Sequence, residues 1–408
     1  MKTVVRPETE MKESGLQWLG EIPNDWKVSR VGNFFSFSSG DSLTNEEIRD
    51  EGMYVVYGAN GIRGYYSKYN LAEKRILLGR VGALAGNVHI VDGKVWVTEH
   101  ALIASNKLDL VEEYYGYVFE SMNLIQYSKS SAQPVISGDT LQKLRFPVPK
   151  LSEQQAIADY LDETCSKIDE IIAEAKASID EYKELKQSVI FEAVTKGLDK
   201  NVEMKQCSVN WLDEIPSTWE SIRLKYLLTE INNRSETGTE QPLSVSQVMG
   251  VVPSYMIAVA NPTASYVGQK IVEPNDIVFN KLKAHLGVFF MSKYHGLVSP
   301  DYAVYRTNDK VIPKYLEYLF HTSACISEFK KYISGVAEGL MRLYTSDLFN
   351  IRICLPKVDE QIKIVEYVEN KVELFDSLIA EKESLINDLE SYKKSLIYEV
   401  VTGKRRVV

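Results

Sequence analysis

The sequence predicts an α+β fold that contains one structural unit twice, each unit having a mixed α/β domain followed by a long helix. The first observation is a repeated motif: WLGEIPNDW runs from Trp18 to Trp26, and WLDEIPSTW runs from Trp211 to Trp219. The second is PKLSEQQAI at 149–157, which returns as PKVDEQIKI at 356–364. Because the motifs alternate along the chain, we infer a tandem duplication whose halves are related by a pseudo-twofold axis.

The repeats divide the chain into five predicted segments. These are an N-terminal arm (1–14), a first mixed domain (15–150), a first long helix (151–197), a second mixed domain (198–357), and a second long helix with a basic tail (358–408). The mixed domains alternate apolar stretches with turn residues, which is typical of strands. Their strand patterns align Ile76 with Ile277 and Arg80 with Lys281. The framework is therefore shared, whereas the middles of the domains differ.

The two helical segments carry matching heptad seams of mostly apolar residues, from Leu161 to Ala193 and from Val368 to Val400. Ser152 and Gln155 resemble a capping box at the first start, and Asp359 resembles an N-cap at the second. Such a seam usually indicates a dimerising coiled coil. Because the chain has two seams of equal length, we expect the helices to pair antiparallel within the molecule, with some apolar area left for other subunits.

Composition indicates an ordinary globular protein with unevenly distributed charge. The net charge is −9, and each of 151–197 and 358–403 contributes −6, so the rest of the chain carries +3. Local charge of this kind remains compatible with DNA binding. No apolar run approaches the ~20 residues of a membrane span, and the N-terminus lacks the apolar region of a signal peptide. Four scattered cysteines fit a reducing cytoplasm.

A search for catalytic or metal motifs argues against chemistry in this chain. The nearest approach to a methyltransferase motif, Asn261–Ala264, lacks its second proline and aromatic residue, and the glycine-rich turn at 79–86 lacks the Gly-Lys-Ser/Thr of a phosphate-binding loop. Asp301 with Glu328 and Lys330 could form a nuclease site, but Glu-x-Lys is frequent here. The five histidines form no cluster with metal-ligand spacing. We therefore expect no catalytic residues and no metal.

Recognition of DNA is the remaining interpretation, and it rests on basic, aromatic and amide side chains in predicted loops. Basic groups can contact phosphates, and Gln can pair with adenine. Each candidate could equally be a solvated surface residue. The candidates of the first domain are Arg63, Tyr65, Lys68, Arg80, Lys129 and Gln133, and those of the second are Lys281, Lys283, His285, Lys330, Lys331 and Arg342.

Taken together, these motifs resemble the specificity (S) subunits of type I restriction-modification systems. The resemblance covers nearly the whole chain and rests on the WLGEIP…W opening, YGANGIRGYY at 57–66, LLGRVGALAGNVHI at 77–90, GLVSPDYAV at 296–304, and the doubled proline–EQ–helix segments. It departs from the family pattern where PK replaces the more usual Pro-Pro step. The resemblance implies two target recognition domains joined by spacer helices that fix the separation of two half-sites.

The resemblance also implies partners for a non-catalytic, cytoplasmic subunit of a prokaryote. These are double-stranded DNA, two methyltransferase (M) subunits and two restriction (R) subunits. S-adenosylmethionine, ATP and Mg²⁺ would belong to those partners, and no cofactor to this chain. Two other classes of function remain as alternatives. One is a nuclease or methyltransferase acting alone, and the other is a coiled-coil scaffold that binds protein without DNA specificity.

Overall fold

The structure, a computed structural model, describes residues 2–128, 134–257, 265–333 and 342–408. The chain forms two compact units. Unit 1 comprises residues 1–176 and 383–408, and unit 2 comprises residues 177–382. Both boundaries fall inside long helices, so each unit contains one globular domain together with a part of each long helix.

Two of the helices are far longer than the others. The first has 46 residues and the second has 44, which corresponds to about 65–70 Å each at 1.5 Å per residue. None of the helices in the described part of the chain is long and apolar enough to cross a membrane. The α-helices are α1 (Glu112–Ser121), α2 (Gly138–Lys143), α3 (Leu151–Lys196), α4 (Pro313–Phe320), α5 (Ser323–Lys331), α6 (Thr345–Asn350) and α7 (Val358–Val401).

The strands are short and occur in similar numbers in both units. Those of unit 1 are β1 (Thr3–Val5), β2 (Met11–Glu13), β3 (Glu21–Pro23), β4 (Lys27–Arg30), β5 (Phe35–Ser39), β6 (Tyr54–Gly58), β7 (Gly61–Tyr66), β8 (Arg75–Gly79), β9 (Val88–Val91), β10 (Val95–Val97), β11 (Ala101–Asn106), β12 (Arg145–Val148) and β25 (Arg405–Val407). Those of unit 2 are β13 (Met204–Gln206), β14 (Glu214–Pro216), β15 (Glu220–Arg223), β16 (Leu228–Ile231), β17 (Leu243–Ser246), β18 (Gly250–Pro253), β19 (Lys270–Val272), β20 (Ile277–Asn280), β21 (Phe289–Met291), β22 (Gly296–Val298), β23 (Tyr302–Thr307) and β24 (Arg352–Leu355).

The sheet topology confirms the predicted duplication. Unit 1 has a four-stranded sheet in the order β5-β11-β8-β9, and unit 2 has the same arrangement in β16-β23-β20-β21. All neighbours in both sheets are antiparallel. The smaller pairs β2-β3 and β4-β12 of unit 1 also return in unit 2, as β13-β14 and β15-β24.

The strands beside the shared sheet follow the same order in both units, but their pairings differ in length. In unit 1 the strands β10, β6 and β7 form one three-stranded sheet, in which β10 runs parallel to β6. In unit 2 the antiparallel pairs β17-β18 and β19-β22 are joined by a parallel bridge between Pro242 and Leu297, and in unit 1 an antiparallel bridge joins Leu71 to Val95 of β10. The chain therefore keeps both sheets in outline and changes the lengths of the pairings in the second one.

A buried glutamine fixes the start of each long helix to its globular domain. The side-chain amide of Gln154 donates to the carbonyl of Pro149 (3.1 Å), and its oxygen accepts from the backbone N–H of Val111 (3.2 Å). In unit 2, Gln361 binds Pro356 (3.0 Å) and Ile312 (2.8 Å) in the same way. These bonds explain the repeated glutamine, because a buried amide must satisfy both its donor and its acceptor.

The neighbouring glutamates hold the second tryptophan of each repeated motif. The indole of Trp26 donates to Glu153 (2.9 Å), and that of Trp219 donates to Glu360 (3.1 Å). Both rings are fully buried in the domain cores. Since the indole nitrogen is only a donor, a carboxylate at the helix start gives it a strong partner and completes the link between the two repeated motifs.

Each globular domain also binds the end of the other long helix. The buried hydroxyl of Tyr114 in unit 1 donates to the carbonyl of Val401, near the end of α7 (3.1 Å). In unit 2, Tyr315 donates to Val194, near the end of α3 (2.8 Å). Helix ends leave carbonyls without an intrahelical partner, and these tyrosines satisfy one of them in each helix.

The helical segments run antiparallel within each unit, as the sequence predicts. In unit 1, Lys393 of α7 pairs with Asp169 of α3 at 2.7 Å. In unit 2, Lys186 of α3 pairs with Asp376 of α7 at 2.5 Å. Both lysines lie on the heptad seams, and each forms an ion pair with a carboxylate of the facing helix. Most of the apolar seam around them is buried, including Ile172, Ile179 and Leu396.

The predicted helix caps at Ser152 and Asp359 are wrong. The helices begin at Leu151 and Val358, one residue earlier, and the Gln155 amide donates to Asp159 rather than back to the helix start. The physical reason is tertiary: Gln154 and Gln361 hold the proline carbonyls just before the helices. Local capping patterns therefore do not decide where these helices begin.

We expect Gln154→Ala to destabilise unit 1 by about 1–3 kcal/mol, because it leaves the buried Val111 N–H without an acceptor. The matched control is Gln155→Ala, which removes an exposed bond and is expected to change stability by less than about 0.5 kcal/mol. Hydrogen exchange of amides in unit 1 measures both effects. Equal protection in the two variants would contradict the proposed role of Gln154.

Candidate nucleic-acid interface

Arg80 and Lys281 occupy equivalent positions, each directly after a central strand of the shared four-stranded sheet. The backbone of Arg80 donates to the carbonyl of His100 (2.9 Å) and accepts from Ile136 (2.8 Å). The carbonyl of Lys281 accepts from Leu343 (3.1 Å). These backbone bonds fix the position of each cation at the end of a central strand. The sequence alignment of the two residues predicts that their positions are equivalent.

The guanidinium of Arg80 is held in place but only partly satisfied. Its Nη1 donates to the hydroxyl of Ser39 at the end of β5 (3.2 Å). Its Nε is buried and has no hydrogen-bond partner among the described residues. An unsatisfied buried donor is uncommon in folded proteins and needs an explanation. A phosphate or base bound beside Arg80 would supply one.

The tip of the β6–β7 hairpin lies next to the turn that carries Arg80. A side chain at Gly79 would come within 2.5 Å of the carbonyl of Ala59, at the hairpin tip, so glycine is required for this approach. The side-chain amide of Asn87 also donates to Asn60 (3.0 Å). The glycine-rich stretch at 57–66 thus positions exposed amides beside an arginine.

Two further buried polar atoms close to the hairpin have no hydrogen-bond partner within the described part of the chain. They are Nε2 of His89, whose ring lies next to Gly61, and Oγ1 of Thr98, which lies next to Gly58. Burial lowers the pKa of His89, so its ring is neutral and offers one donor and one acceptor. The site therefore combines a cation with several unsatisfied hydrogen-bonding groups.

Three of the other candidates of unit 1 lie in the described residues, on β7 or just after it. Arg63, on β7, donates to the side chain of Asn45 (2.6 Å). Tyr65 forms two backbone bonds with Arg49, at 2.8 and 3.0 Å. Lys68 follows β7 and is exposed. Lys129 and Gln133 lie outside the described residues.

In unit 2 the basic candidates gather around one 3₁₀ segment, Lys281–Leu286. Lys281 begins it and lies 3.5 Å from Glu230 on β16. Lys283 is exposed and His285 is half-buried within it. Arg342 is adjacent in the chain to Leu343, which binds the Lys281 carbonyl. The structure therefore brings four of the six candidates of unit 2 to one part of the surface.

Lys330 and Lys331 lie in the last turn of α5, which packs against this 3₁₀ segment. Both are exposed, and Lys331 pairs with Glu328 at 2.6 Å. Lysines there also interact favourably with the carboxyl end of the helix. Of the pair, Lys330 is the better candidate for contact with a ligand.

Sequence reasoning missed several residues that border these sites. In unit 1 they are Asn60, Asn87 and His89, which meet only because the hairpin folds against the sheet. In unit 2 Lys270 is almost fully buried and donates to the carbonyl of Tyr302 (2.9 Å). Burial, together with the nearby Lys281, lowers the pKa of Lys270. The glycine-rich spacing at 57–66 was the one sequence signal for these contacts.

Comparison with known proteins places these features in a family. The family model described as the type I restriction modification DNA specificity domain matches twice, at residues 23–181 and 216–390. The chain is 24% identical over 419 residues to the type I restriction enzyme MjaVIII specificity subunit of Methanocaldococcus jannaschii, covering 95% of this chain and 94% of the relative. It is 34% identical over 140 residues to the EcoprrI specificity subunit of Escherichia coli, covering 33% and 35%.

Solved structures have the same fold. One chain, from work on complex assembly and conformational transition of the type I R-M system, matches with a TM-score of 0.67 at 15% identity, covering 94% of this chain and 99% of that one. The HsdS subunit of Thermoanaerobacter tengcongensis matches with a TM-score of 0.53 at 15% identity, covering 94% and 98%. With both repeats matched by the family model, the chain belongs to the type I restriction-modification DNA specificity family and is a non-catalytic, DNA-recognising subunit.

Proposed function

We propose that this specificity subunit reads an asymmetric two-part site in duplex DNA, with one half-site for each unit. The observation that carries the proposal is the contrast within the repeat. Both units have the same four-stranded sheet with a cation after its central strand, but that cation is followed by a glycine-rich turn in unit 1 and begins a 3₁₀ segment in unit 2. A shared frame with different surroundings is suited to two different base sequences.

The side chains around each cation suit both parts of DNA recognition. Arg80 and Lys281 would contact phosphates, and such contacts fix the position of the protein without reading sequence. The exposed amides of Asn60 and Asn87 carry the donor and acceptor groups that distinguish base edges. Unit 2 has a different set, with Lys283, His285 and Arg342. We expect the two half-sites to differ accordingly.

The long helices are proposed to set the gap between the half-sites. Each helix is anchored at its start by one globular domain and near its end by the other, through Gln154 and Tyr315 for α3. Changes in helix length would then change the gap and leave the half-sites unaltered. The geometry of a dimer sets the spacing of half-sites in other DNA-binding proteins in a similar way.

The proposed partners carry the catalysis. Two methyltransferase subunits would supply the S-adenosylmethionine site, and two restriction subunits would supply the ATP and Mg²⁺ sites, in the cytoplasm of a prokaryote. Apolar side chains left exposed on the long helices, namely Ile171, Leu185, Leu374 and Leu385, support contacts with another subunit. Exposed apolar patches commonly mark such interfaces.

Methylation mapping tests the proposed function directly. The chain is co-expressed with its cognate methyltransferase subunit, and host DNA is sequenced for modified adenine. The expected result is one two-part motif with a fixed gap, which disappears when this chain is omitted. Methylation that is unchanged without the chain would refute the proposal.

We expect Arg80→Ala to weaken binding of the mapped duplex by the methyltransferase complex. Loss of one phosphate contact lowers the slope of log affinity against log salt concentration by about 0.9. The slope is measured by titrations at salt concentrations between about 50 and 200 mM. The control is Lys167→Ala on α3, whose lysine pairs with Glu163 and whose slope is expected to stay the same. An unchanged slope in Arg80→Ala would exclude a phosphate contact.

Insertion of one heptad after Lys176 and another after Lys382 is expected to lengthen the gap by about 3 base pairs. Seven helical residues add about 10 Å, and each base pair adds about 3.4 Å. Because the insertions fall between the units, both reciprocal ion pairs remain intact. Methylation mapping reads the gap and both half-sites. The same gap in a folded, active variant would contradict the proposed role of the helices.

A further inference from the structure

A pair of arginines faces each other across two strands, and the pair is repeated in both units. Arg30 of β4 lies opposite Arg145 of β12, and Arg223 of β15 lies opposite Arg352 of β24. The residues after Arg30 and Arg223 donate backbone bonds to the residues before Arg145 and Arg352 (both 2.9 Å). Each arginine pair is therefore a non-hydrogen-bonded pair, in which side chains are closest.

Neither pair is explained by the fold. Like charges directly opposite on neighbouring strands are destabilising, and none of these arginines lies within 4.0 Å of a carboxylate of the described residues. Among the described residues, the guanidinium of Arg352 donates to Ser221 alone, while Arg30 and Arg145 are exposed. Two separate parts of the chain thus carry the same unfavourable pair, which an anionic partner would neutralise.

The first tryptophan of each repeated motif lies beside these arginines. The indole of Trp211 donates to the carbonyl of Arg352 (3.3 Å). In unit 1, Trp18, Tyr127 and Arg145 line the same cleft, of about 590 Å³. Unlike Trp26 and Trp219, these two tryptophans are only half-buried. Trp, Tyr and Arg are the residue types that contribute most to binding energy at protein interfaces.

The position of the arginines favours a protein partner over DNA. Arg30 lies before β5, and Ser39, which hydrogen-bonds to Arg80, lies at the far end of that strand. The strand between them extends for roughly 13 Å. Helix α2 runs back along β5, since Gly138 lies near Phe37 and Gln142 lies near Gly32. Arg145, which follows this helix, is therefore far from Arg80. The arginine pair is therefore at the opposite end of the domain from the candidate DNA contacts.

We propose that Trp18, Arg30 and Arg145 in unit 1, and Trp211, Arg223 and Arg352 in unit 2, form two equivalent docking surfaces for one protein partner. That partner presents an apolar side chain flanked by carboxylates, and it binds each unit in the same way. A partner that binds twice explains why these residues are repeated while the recognition elements differ. The inference rests on the proposed function, in which this partner is the methyltransferase subunit.

The test uses charge reversal in the full chain. Arg30→Glu with Arg145→Glu alters the surface of unit 1, and Arg223→Glu with Arg352→Glu alters that of unit 2. Each double variant is expected to weaken one of two methyltransferase sites by about 30-fold or more, and the quadruple variant to weaken both. Native mass spectrometry at limiting concentration counts the subunits bound. The matched control is Lys27→Glu, since Lys27 is exposed on β4 and its counterpart in unit 2 is Glu220.

The outcomes separate this inference from the proposed function. Failure of the unchanged chain to bind the methyltransferase would refute the proposed function itself. Normal methyltransferase binding by the quadruple variant would refute the docking surfaces alone. If instead the variants lose affinity for duplex DNA while methyltransferase binding is retained, the arginines contact phosphates and the inference is wrong. Arg145→Gln checks folding, because removal of one like charge is expected to leave the melting temperature unchanged or higher while still weakening methyltransferase binding.

Discussion

The constraint on which the structure depends is that each globular domain holds the beginning of one long helix and the end of the other. Gln154 and Glu153 fix the start of α3 in unit 1, and Tyr114 fixes the end of α7 there. Gln361, Glu360 and Tyr315 make the reciprocal bonds in unit 2. The glutamines and tyrosines are buried, as are the tryptophans that bind the glutamates, so loss of any one of these bonds leaves a buried partner unsatisfied. The arrangement explains why the motifs that recur are those at the helix starts and at the buried tryptophans.

A frame held in this way leaves the rest of each domain free to differ. The sheets and the cation are common to both units, whereas the segment after that cation and the side chains around it differ. Buried residues and backbone bonds define the common part, and exposed side chains of loops define the different part. Function therefore resides at the edge of a rigid scaffold, where binding residues of many proteins are found. The same comparison of units singles out the arginine pairs, which are common to both units although three of the four arginines are exposed.

The sequence predicts the frame well because its signals are local. A heptad seam and a repeated motif identify the helices, the duplication and the pairing of α3 with α7. The sites are harder to predict, since their contacts join distant residues. Arg63 looked like a free cation but binds Asn45, and Asn60 meets Asn87 only through the register of the hairpin against the sheet. The helix start was predicted from Ser152 and Gln155, yet the glutamine that fixes it is Gln154, whose partner Val111 lies 43 residues away. Which side chains reach a base depends on such tertiary placement.

The central claim, that each unit reads its own half-site within a shared frame, is tested most directly by exchange. Residues 208–350 are replaced with the equivalent residues 15–143, so that both globular domains are those of unit 1, and methylated sites are mapped with the methyltransferase present. The account predicts a symmetric site, with the half-site of unit 1 repeated in inverted orientation across an unchanged gap. Methylation of the original asymmetric site by the exchanged chain would contradict it.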